Sequence, residues 1–134
     1  MPVRSLDHVN IRTPDVMGTA AFLQDLLDLD PRIAPGAESI AQGCWMYDLG
    51  NRPIIHIAAQ DSAYPSDGMM PFVAAPGTGA LHHVALECTD RDATLARIEA
   101  AGHAVATSDI SQVGLRQLFV AEPNGILLEL NFFE

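Results

Sequence analysis

The chain of 134 residues contains 17 acidic residues and seven arginines but no lysine, and its formal net charge at pH 7 is -10. This charge argues against binding to nucleic acid or to an anionic membrane surface, because both present phosphates that attract cationic side chains. No stretch approaches the ~20 apolar residues of a membrane helix, and no secretory signal pattern is present, so we expect a cytoplasmic protein. Cys44 and Cys88 are not spaced as a metal or redox motif, and we expect buried, reduced thiols.

The first half of the chain begins with a strand and a helix. Polar and apolar residues alternate over residues 5–12, and Thr13-Pro14-Asp15 then breaks the strand and offers a helix N-cap. An apolar stripe predicts a helix over residues 16–29, which Pro31 prevents from continuing. The other predicted strands of this half are residues 32–41, with a weak pattern, and the hairpin of residues 43–49 and 53–59.

The second half repeats this order after a linker. Residues 60–80 are rich in Gly, Pro, Ser and Ala without periodicity, and we interpret them as the linker. The sequence predicts an α+β protein with the order βαβββ twice, as a single domain over residues 1–134. Its modules, residues 1–59 and 81–134, are too short to bury much core alone. The predicted elements of the second half are a strand over 81–88, a helix over 90–101 and strands over 103–107, 115–121 and 125–133.

Two sequence motifs occur twice in the chain. Residues 6–11, Leu-Asp-His-Val-Asn-Ile, match residues 81–86, Leu-His-His-Val-Ala-Leu, and residues 51–57 match residues 124–130 at nearly the same offset. The chain is therefore interpreted as two copies of one unit. His8 corresponds to His83 and His56 to Glu129, and all four side chains can bind divalent metals or move protons. His82 has the opposite parity on its strand and is interpreted as structural.

The four candidate donors share one parity along their strands. Glu129, for example, alternates with Leu128 and Leu130, whose side chains are predicted to face the helix. An ionised carboxylate between two leucines is costly unless it is paired or bound to a metal. If the sheets curve so that this face is concave, the four donors converge on one divalent ion of Fe, Zn, Mn, Ni or Co. In the opposing interpretation these side chains merely fill the core.

These motifs resemble those of the vicinal oxygen chelate superfamily. This superfamily includes glyoxalase I, extradiol ring-cleaving dioxygenases, methylmalonyl-CoA epimerase, and the fosfomycin and bleomycin resistance proteins. The residues that carry the resemblance are the two repeated histidine motifs and Glu122-Pro123-Asn124-Gly125, which leads into Leu128-Glu129-Leu130. The resemblance covers nearly the whole chain. It implies a pair of βαβββ modules that form a cupped mixed sheet around a divalent metal.

The resemblance also implies ligands and an activity. His8, His83 and Glu129 match the family's metal ligands, and His56 falls on the fourth position, so that it is either a fourth ligand or a catalytic base. The implied function is a metal-dependent, glyoxalase-like lyase or isomerase that acts on a small metabolite chelated through vicinal oxygens. One alternative is an extradiol-type Fe(II) dioxygenase of catechols, although Pro53 stands where those enzymes carry their acid–base histidine. The other is a non-catalytic binding or resistance protein.

Side chains on the same strand faces, together with Phe72 of the linker, are candidates for contact with the substrate. We expect a small molecule as the partner, and neither nucleic acid nor a membrane. The resemblance implies a homodimer, with the cup built within one chain or across two. The candidate substrate-binding residues are Asn10, Arg12, Trp45, Phe72, Glu87, Phe119 and Asn131.

Overall fold

A computed structural model describes residues 2–134, which form two compact units, the first ending at Ala74 and the second spanning Ala75–Glu134. The first unit contains a four-stranded mixed sheet in the order β1-β4-β3-β2, in which β1 is parallel to β4 and the other pairs are antiparallel. Its elements are β1 (Val9–Thr13), α1 (Val16–Leu27), β2 (Asp30–Ile33), β3 (Gly43–Tyr47) and β4 (Pro53–Ala59).

The second unit repeats this arrangement strand for strand. Its sheet has the order β5-β8-β7-β6, with β5 parallel to β8 and the other pairs antiparallel. The predicted α+β fold of two βαβββ modules is therefore confirmed. The elements of the second unit are β5 (His83–Glu87), α2 (Arg91–Ala100), β6 (Ala106–Ile110), a 3-10 turn (Ser111–Val113), β7 (Leu115–Ala121) and β8 (Leu127–Phe132).

Strand alternation separates a buried face from a polar face in each sheet, as the sequence predicts. In β8, Leu128, Leu130 and Phe132 are fully buried, whereas Glu129 and Asn131 between them keep partial exposure. In the first unit α1 packs on its sheet, and six of its twelve residues are buried. Only two of the ten residues of α2 are buried, so the two helices contribute unequally to their cores.

The two helices also begin differently. The side chain of Asp15 caps α1, because its Oδ1 accepts a hydrogen bond from the backbone N–H of Gly18 at 2.9 Å. A Cβ at position 18 would lie 2.1 Å from Asp15 Oδ2, so the capping carboxylate would have to shift if Gly18 were replaced. Asp90 precedes α2 with a φ of 59°, and its side chain makes no capping hydrogen bond. Its backbone carbonyl instead accepts hydrogen bonds from the N–H and the hydroxyl of Thr94, both at 3.0 Å.

A buried carboxylate shapes the turn between β7 and β8. Glu122 is 2% exposed, and its Oε1 accepts hydrogen bonds from the backbone N–H groups of Asn124 at 2.6 Å and Ile126 at 3.0 Å. Its Oε2 accepts a third hydrogen bond from the side-chain amide of Asn124 at 2.9 Å. Gly125 completes the turn with a φ of 85°, which favours glycine. Residues 122–125, one of the motifs that carry the family resemblance, therefore form a turn whose polar groups are satisfied within it.

Several predicted boundaries differ from the structure. The first strand begins at Val9, and α1 ends at Leu27 because Asp28 adopts the left-handed conformation with a φ of 56°. The weak strand predicted over residues 32–41 lies earlier, at Asp30–Ile33, where it pairs with β3. Residues 60–82 contain turns but no strand or helix. Across residues 2–134, every helix is too short to cross a membrane.

Candidate functional site

One row of side chains crosses the polar face of the first sheet. His56 on β4 lies opposite Asn10 on β1 and opposite Trp45 on β3. Opposite residues on neighbouring strands point to the same face, so these three side chains are neighbours. The corresponding row of the second sheet has Glu129 on β8 between Ala85 and Phe119. The correspondence of His56 with Glu129 is thus visible in the strand register.

Three aromatic rings stack at this row. The ring of His8 lies parallel to that of His56, with 3.7 Å between centroids and 10° between planes. The ring of Trp45 lies parallel to that of His56 at 3.9 Å and 10°. Two rings cannot occupy the same face of an imidazole at these distances, so His8 and Trp45 cover opposite faces of His56. His8, His56 and Trp45 are named the aromatic stack below.

The two histidines of the aromatic stack have different partners. His8 Nδ1 donates to Asp7 Oδ1 at 2.6 Å, because a carboxylate can only accept, and the unprotonated nitrogen of a neutral His8 is then Nε2. This hydrogen bond lowers the pKa of Asp7. His56 Nε2 donates to the backbone carbonyl of Pro53 at 3.1 Å. Burial, followed by the charge on His8, lowers the pKa of His56, which favours a neutral ring.

The second unit has a histidine with a similar arrangement. The Nδ1 atoms of His83 and His82 are 2.9 Å apart, so one of them donates to the other. When His83 Nδ1 is the donor, its Nε2 carries a free lone pair. That Nε2 lies 3.7 Å from Oε1 of Glu129. In each unit, therefore, the residue that precedes the repeated histidine engages its Nδ1.

A chain of two side-chain amides holds the carboxylate of Glu129 in place. Its side chain is 17% exposed, and its Oε2 accepts a hydrogen bond from the side-chain N–H of Asn131 at 3.0 Å. Asn131 Oδ1 in turn accepts from the side-chain N–H of Gln117, which is 8% exposed, at 3.0 Å. The carboxylate therefore has one oxygen fixed by the protein and one directed at His83. Phe119 lies opposite Glu129 in register, and Glu87 lies opposite Asn131.

A cavity of about 290 Å³ lies in the first unit. Three of the predicted substrate-binding residues line it: Asn10, Arg12 and Phe72. Arg12 is anchored there, because its Nη1 donates to the backbone carbonyls of Ser62 at 2.8 Å and Ala59 at 3.4 Å. The remaining lining residues are Tyr64, Ser66, Asp67, Met70 and Pro71.

The donor geometry of each unit fits a divalent cation in part. Two donors that lie about 2.1 Å from one ion are roughly 3.0 to 3.4 Å apart, so His83 and Glu129 need to approach by only a few tenths of an ångström. In the first unit, His8 has one nitrogen free and its tautomer set by a carboxylate, an arrangement common in metal sites. Among residues 2–134, no group of three or more His, Cys, Asp and Glu side chains is gathered in a metal-binding arrangement.

Sequence reasoning missed the neighbours of the candidate donors. Asp7 and His82 engage the two repeated histidines, and the signal available was their position immediately before each histidine. Gln117 fixes Asn131, and no sequence motif points to it. The sequence places Asn131 among the residues that contact the substrate. In the structure its amide is shared between Glu129 and Gln117.

Comparison with known proteins gives the fold and the family. A comparison with curated proteins found no match. Among solved structures, the chain is similar to an integron cassette protein of V. cholerae, with a TM-score of 0.68, 15% identity and coverage of 100% of this chain and 98% of the other. Lactoylglutathione lyase from Agrobacterium tumefaciens has a TM-score of 0.68 at 17% identity, with coverage of 98% and 95%.

A third similar structure is the fosfomycin resistance protein FosX from Listeria monocytogenes, in a mutant form complexed with Mn(II) and 1S,2S-dihydroxypropylphosphonic acid. Its TM-score is 0.69 at 20% identity, with coverage of 99% of this chain and 95% of the other. At these identities the likeness is one of fold. The family is given by sequence, because a family model matches residues 7–120. The chain belongs to the Glyoxalase/Bleomycin resistance protein/Dioxygenase superfamily.

Proposed function

We propose that this protein is a divalent-metal-dependent enzyme of the glyoxalase type, a lyase or isomerase that acts on a small metabolite chelated through vicinal oxygens. One observation carries the proposal: both repeated histidines have their Nδ1 engaged by the preceding residue, which leaves Nε2 of His8 available as a ligand, and Nε2 of His83 as well when its Nδ1 is the donor. Family membership supports the same conclusion.

The proposed ligands are His8, His83 and Glu129, with one divalent cation per site, which can be Fe, Zn, Mn, Ni or Co. Two imidazoles and one carboxylate suit all of these metals. A bound cation would act as a Lewis acid and stabilise negative charge on the chelated substrate oxygens. The Mn(II) in the FosX structure supports this choice of chemistry.

The protein's own side chains divide the remaining tasks. Asn131 holds one oxygen of Glu129 and so keeps the other directed at His83. His56 is a fourth ligand or a base in the family-based interpretation, and in either role it would have to act through Nδ1, because its Nε2 is bonded to Pro53. The substrate-facing candidates are Asn10, Arg12 and Phe72 at the cavity, with Trp45, Glu87 and Phe119 on the polar faces of the two sheets.

Metal analysis of protein purified without a histidine tag tests the proposal directly. We expect near-stoichiometric divalent metal in the wild type, and a Co(II) affinity that falls at least about tenfold in each of His8→Ala, His83→Ala and Glu129→Ala. His103→Ala is the matched control, because His103 is an exposed histidine outside both motifs. Unchanged Co(II) affinity in the three variants, with their secondary structure intact, would contradict the proposal.

The second candidate function is an extradiol-type dioxygenase, which two histidines and one glutamate favour because this is a known Fe(II) ligand set. Anaerobic reconstitution with Fe(II), followed by catechol and oxygen, separates the two functions. We expect no reaction, whereas a yellow ring-cleavage product would favour the dioxygenase. Ligand binding that is unaffected by complete removal of the metal would favour a non-catalytic binding protein. A homodimer is part of the proposal, by family resemblance.

A further inference from the structure

We infer that His56 is a positioning residue, whose flat ring lies between Trp45 and His8 and holds the imidazole of His8 in place, rather than a ligand or a proton carrier. This inference rests on the proposed role of His8 as a metal ligand. The evidence is the aromatic stack, in which both faces of the His56 ring are covered at 3.7 Å and 3.9 Å with interplanar angles of 10°.

His8 needs such a support because its backbone lies outside the sheet. The first residue of β1 is Val9, so no strand ladder fixes the backbone of His8. Its Nδ1 partner, Asp7, has a side chain that is 89% exposed and precedes β1 as well. A hydrogen bond to an exposed neighbour leaves the ring free to turn with that neighbour. Contact with the face of His56, which belongs to β4, connects the ring of His8 to the sheet.

His56 itself is fixed on three sides. Its Nε2 donates to the carbonyl of Pro53, three residues earlier on the same strand, and so is directed along β4. Trp45 covers one face from the neighbouring strand, opposite in register, and His8 covers the other. A side chain used in this way acts through its ring faces. Its Nε2 serves only to orient the ring and its contact with His8 needs no nitrogen, and this separates the inference from the ligand and base roles.

The substitution His56→Phe separates these roles, since phenylalanine keeps a flat ring but can neither bind a metal nor carry a proton. We expect His56→Phe to bind Co(II) within about threefold of the wild type, and His56→Ala to bind at least about tenfold more weakly. Binding is measured with Co(II) alone, by titration against a competing chelator, in full-length protein. His103→Phe and His103→Ala serve as matched controls.

The outcomes distinguish this inference from the proposed function. If His8→Ala binds Co(II) like the wild type, the proposed metal site is wrong, whatever the His56 variants do. If His8→Ala loses affinity and His56→Phe loses as much as His56→Ala, a nitrogen of His56 is required and the positioning role is wrong. If neither His56 variant loses affinity, His56 positions nothing and the inference is also overturned.

A measurement on metal-free protein covers the case in which His56→Ala does not fold. The ring protons of His8 should resonate upfield in the wild type, because they lie over the face of another aromatic ring. We expect His56→Phe to keep this shift. Trp45→Leu, which uncovers the other face of His56, should reduce it and weaken Co(II) binding in the same direction. His8 resonances at ordinary positions in the wild type would overturn the inference.

Discussion

The residue before each repeated histidine sets how that histidine can act. Asp7 can only accept a hydrogen bond, so it fixes the His8 tautomer with Nδ1 protonated. His82 can donate or accept, so the tautomer of His83 is determined by its surroundings, including Glu129. The preceding residue therefore sets the tautomer of His8 but not that of His83. A search of the sequence for metal-binding side chains alone would not identify this role of the preceding residue.

Burial also decides the chemistry of the two cysteines. Cys44 is fully buried, as the sequence predicts, and Cys88 is partly buried. Desolvation raises the pKa of the Cys44 thiol and raises that of Cys88 to about 11. A raised thiol pKa means less thiolate, and roughly one thousandth of Cys88 is ionised at pH 8.

We therefore predict that neither thiol reacts quickly with a disulfide reagent such as Ellman's reagent in the native protein at pH 8. Both should react rapidly after unfolding in guanidinium chloride, where the ordinary pKa is restored. The native rate of Cys88 should rise about tenfold for each pH unit until the pH approaches 11. Complete reaction of either thiol within seconds in the folded state at pH 8 would contradict this interpretation.

Single side chains were the part of the site least accessible from sequence. The parity rule placed His56 on the polar face, and the strand pattern supports that placement. Stacking on Trp45 depends on the register between β3 and β4, which shifts between Met46 and Tyr47 and cannot be read from either strand alone. The hydrogen bond between Gln117 and Asn131 likewise joins two residues that lie 14 positions apart, on neighbouring strands. Cross-strand contacts of this kind require coordinates.

At the scale of elements, the two helices show how far equivalent positions have diverged. Asp15 and Asp90 stand at the same place in the repeat, and each precedes a helix. Asp15 acts as an N-cap through its side chain, as the sequence predicts. Asp90 occupies a left-handed conformation without a side-chain cap. Aspartate at this position therefore stabilises one helix and strains the start of the other.

We predict opposite responses to substitution at these two positions. Asp15→Ala should lower the free energy of unfolding by about 0.5–2 kcal/mol, because it removes the hydrogen bond to Gly18. Asp90→Gly should leave the stability unchanged or raise it slightly, since glycine adopts a φ of 59° without strain. Urea denaturation followed by circular dichroism measures both. A larger loss for Asp90→Gly than for Asp15→Ala would contradict the assigned caps.

Element order was predictable because the repeated motifs required two equivalent units, and hydrophobic alternation identified most strands. Boundaries were less accessible. The end of α1 depends on Asp28 adopting a left-handed conformation. Glycine is the usual residue in this conformation, so an aspartate does not predict it. The strand Asp30–Ile33 contains a proline and is mostly exposed, so its pattern is weak. The strand forms because it pairs with β3, and this pairing cannot be predicted from the local sequence.

For the molecule as a whole, the charge of -10 without any lysine is the dominant long-range property. Such a field repels polyanions and is screened beyond about 8 Å at physiological salt. Family membership and a cavity lined by Arg12, Tyr64 and Phe72 agree with a small-molecule partner instead. The cation of Arg12 is a local exception to the overall charge.

We accordingly predict no measurable affinity for duplex or single-stranded DNA at 150 mM salt. Fluorescence anisotropy with labelled oligonucleotides up to 10 µM protein should stay flat, and lowering the salt should not produce binding, because no counterions are released. Serum albumin, another acidic protein, serves as the negative control. Binding that strengthens as salt is lowered would mean that local positive charge overrules the net charge.

The unequal burial of the two helices has a consequence for the order in which parts of the protein open. Six residues of α1 are buried, but α2 is anchored mainly by Ile98 and Thr94. Local unfolding starts where the fewest apolar groups must be exposed, so α2 should unfold more often than α1 does. Opening of the second repeat should therefore be more frequent than opening of the first.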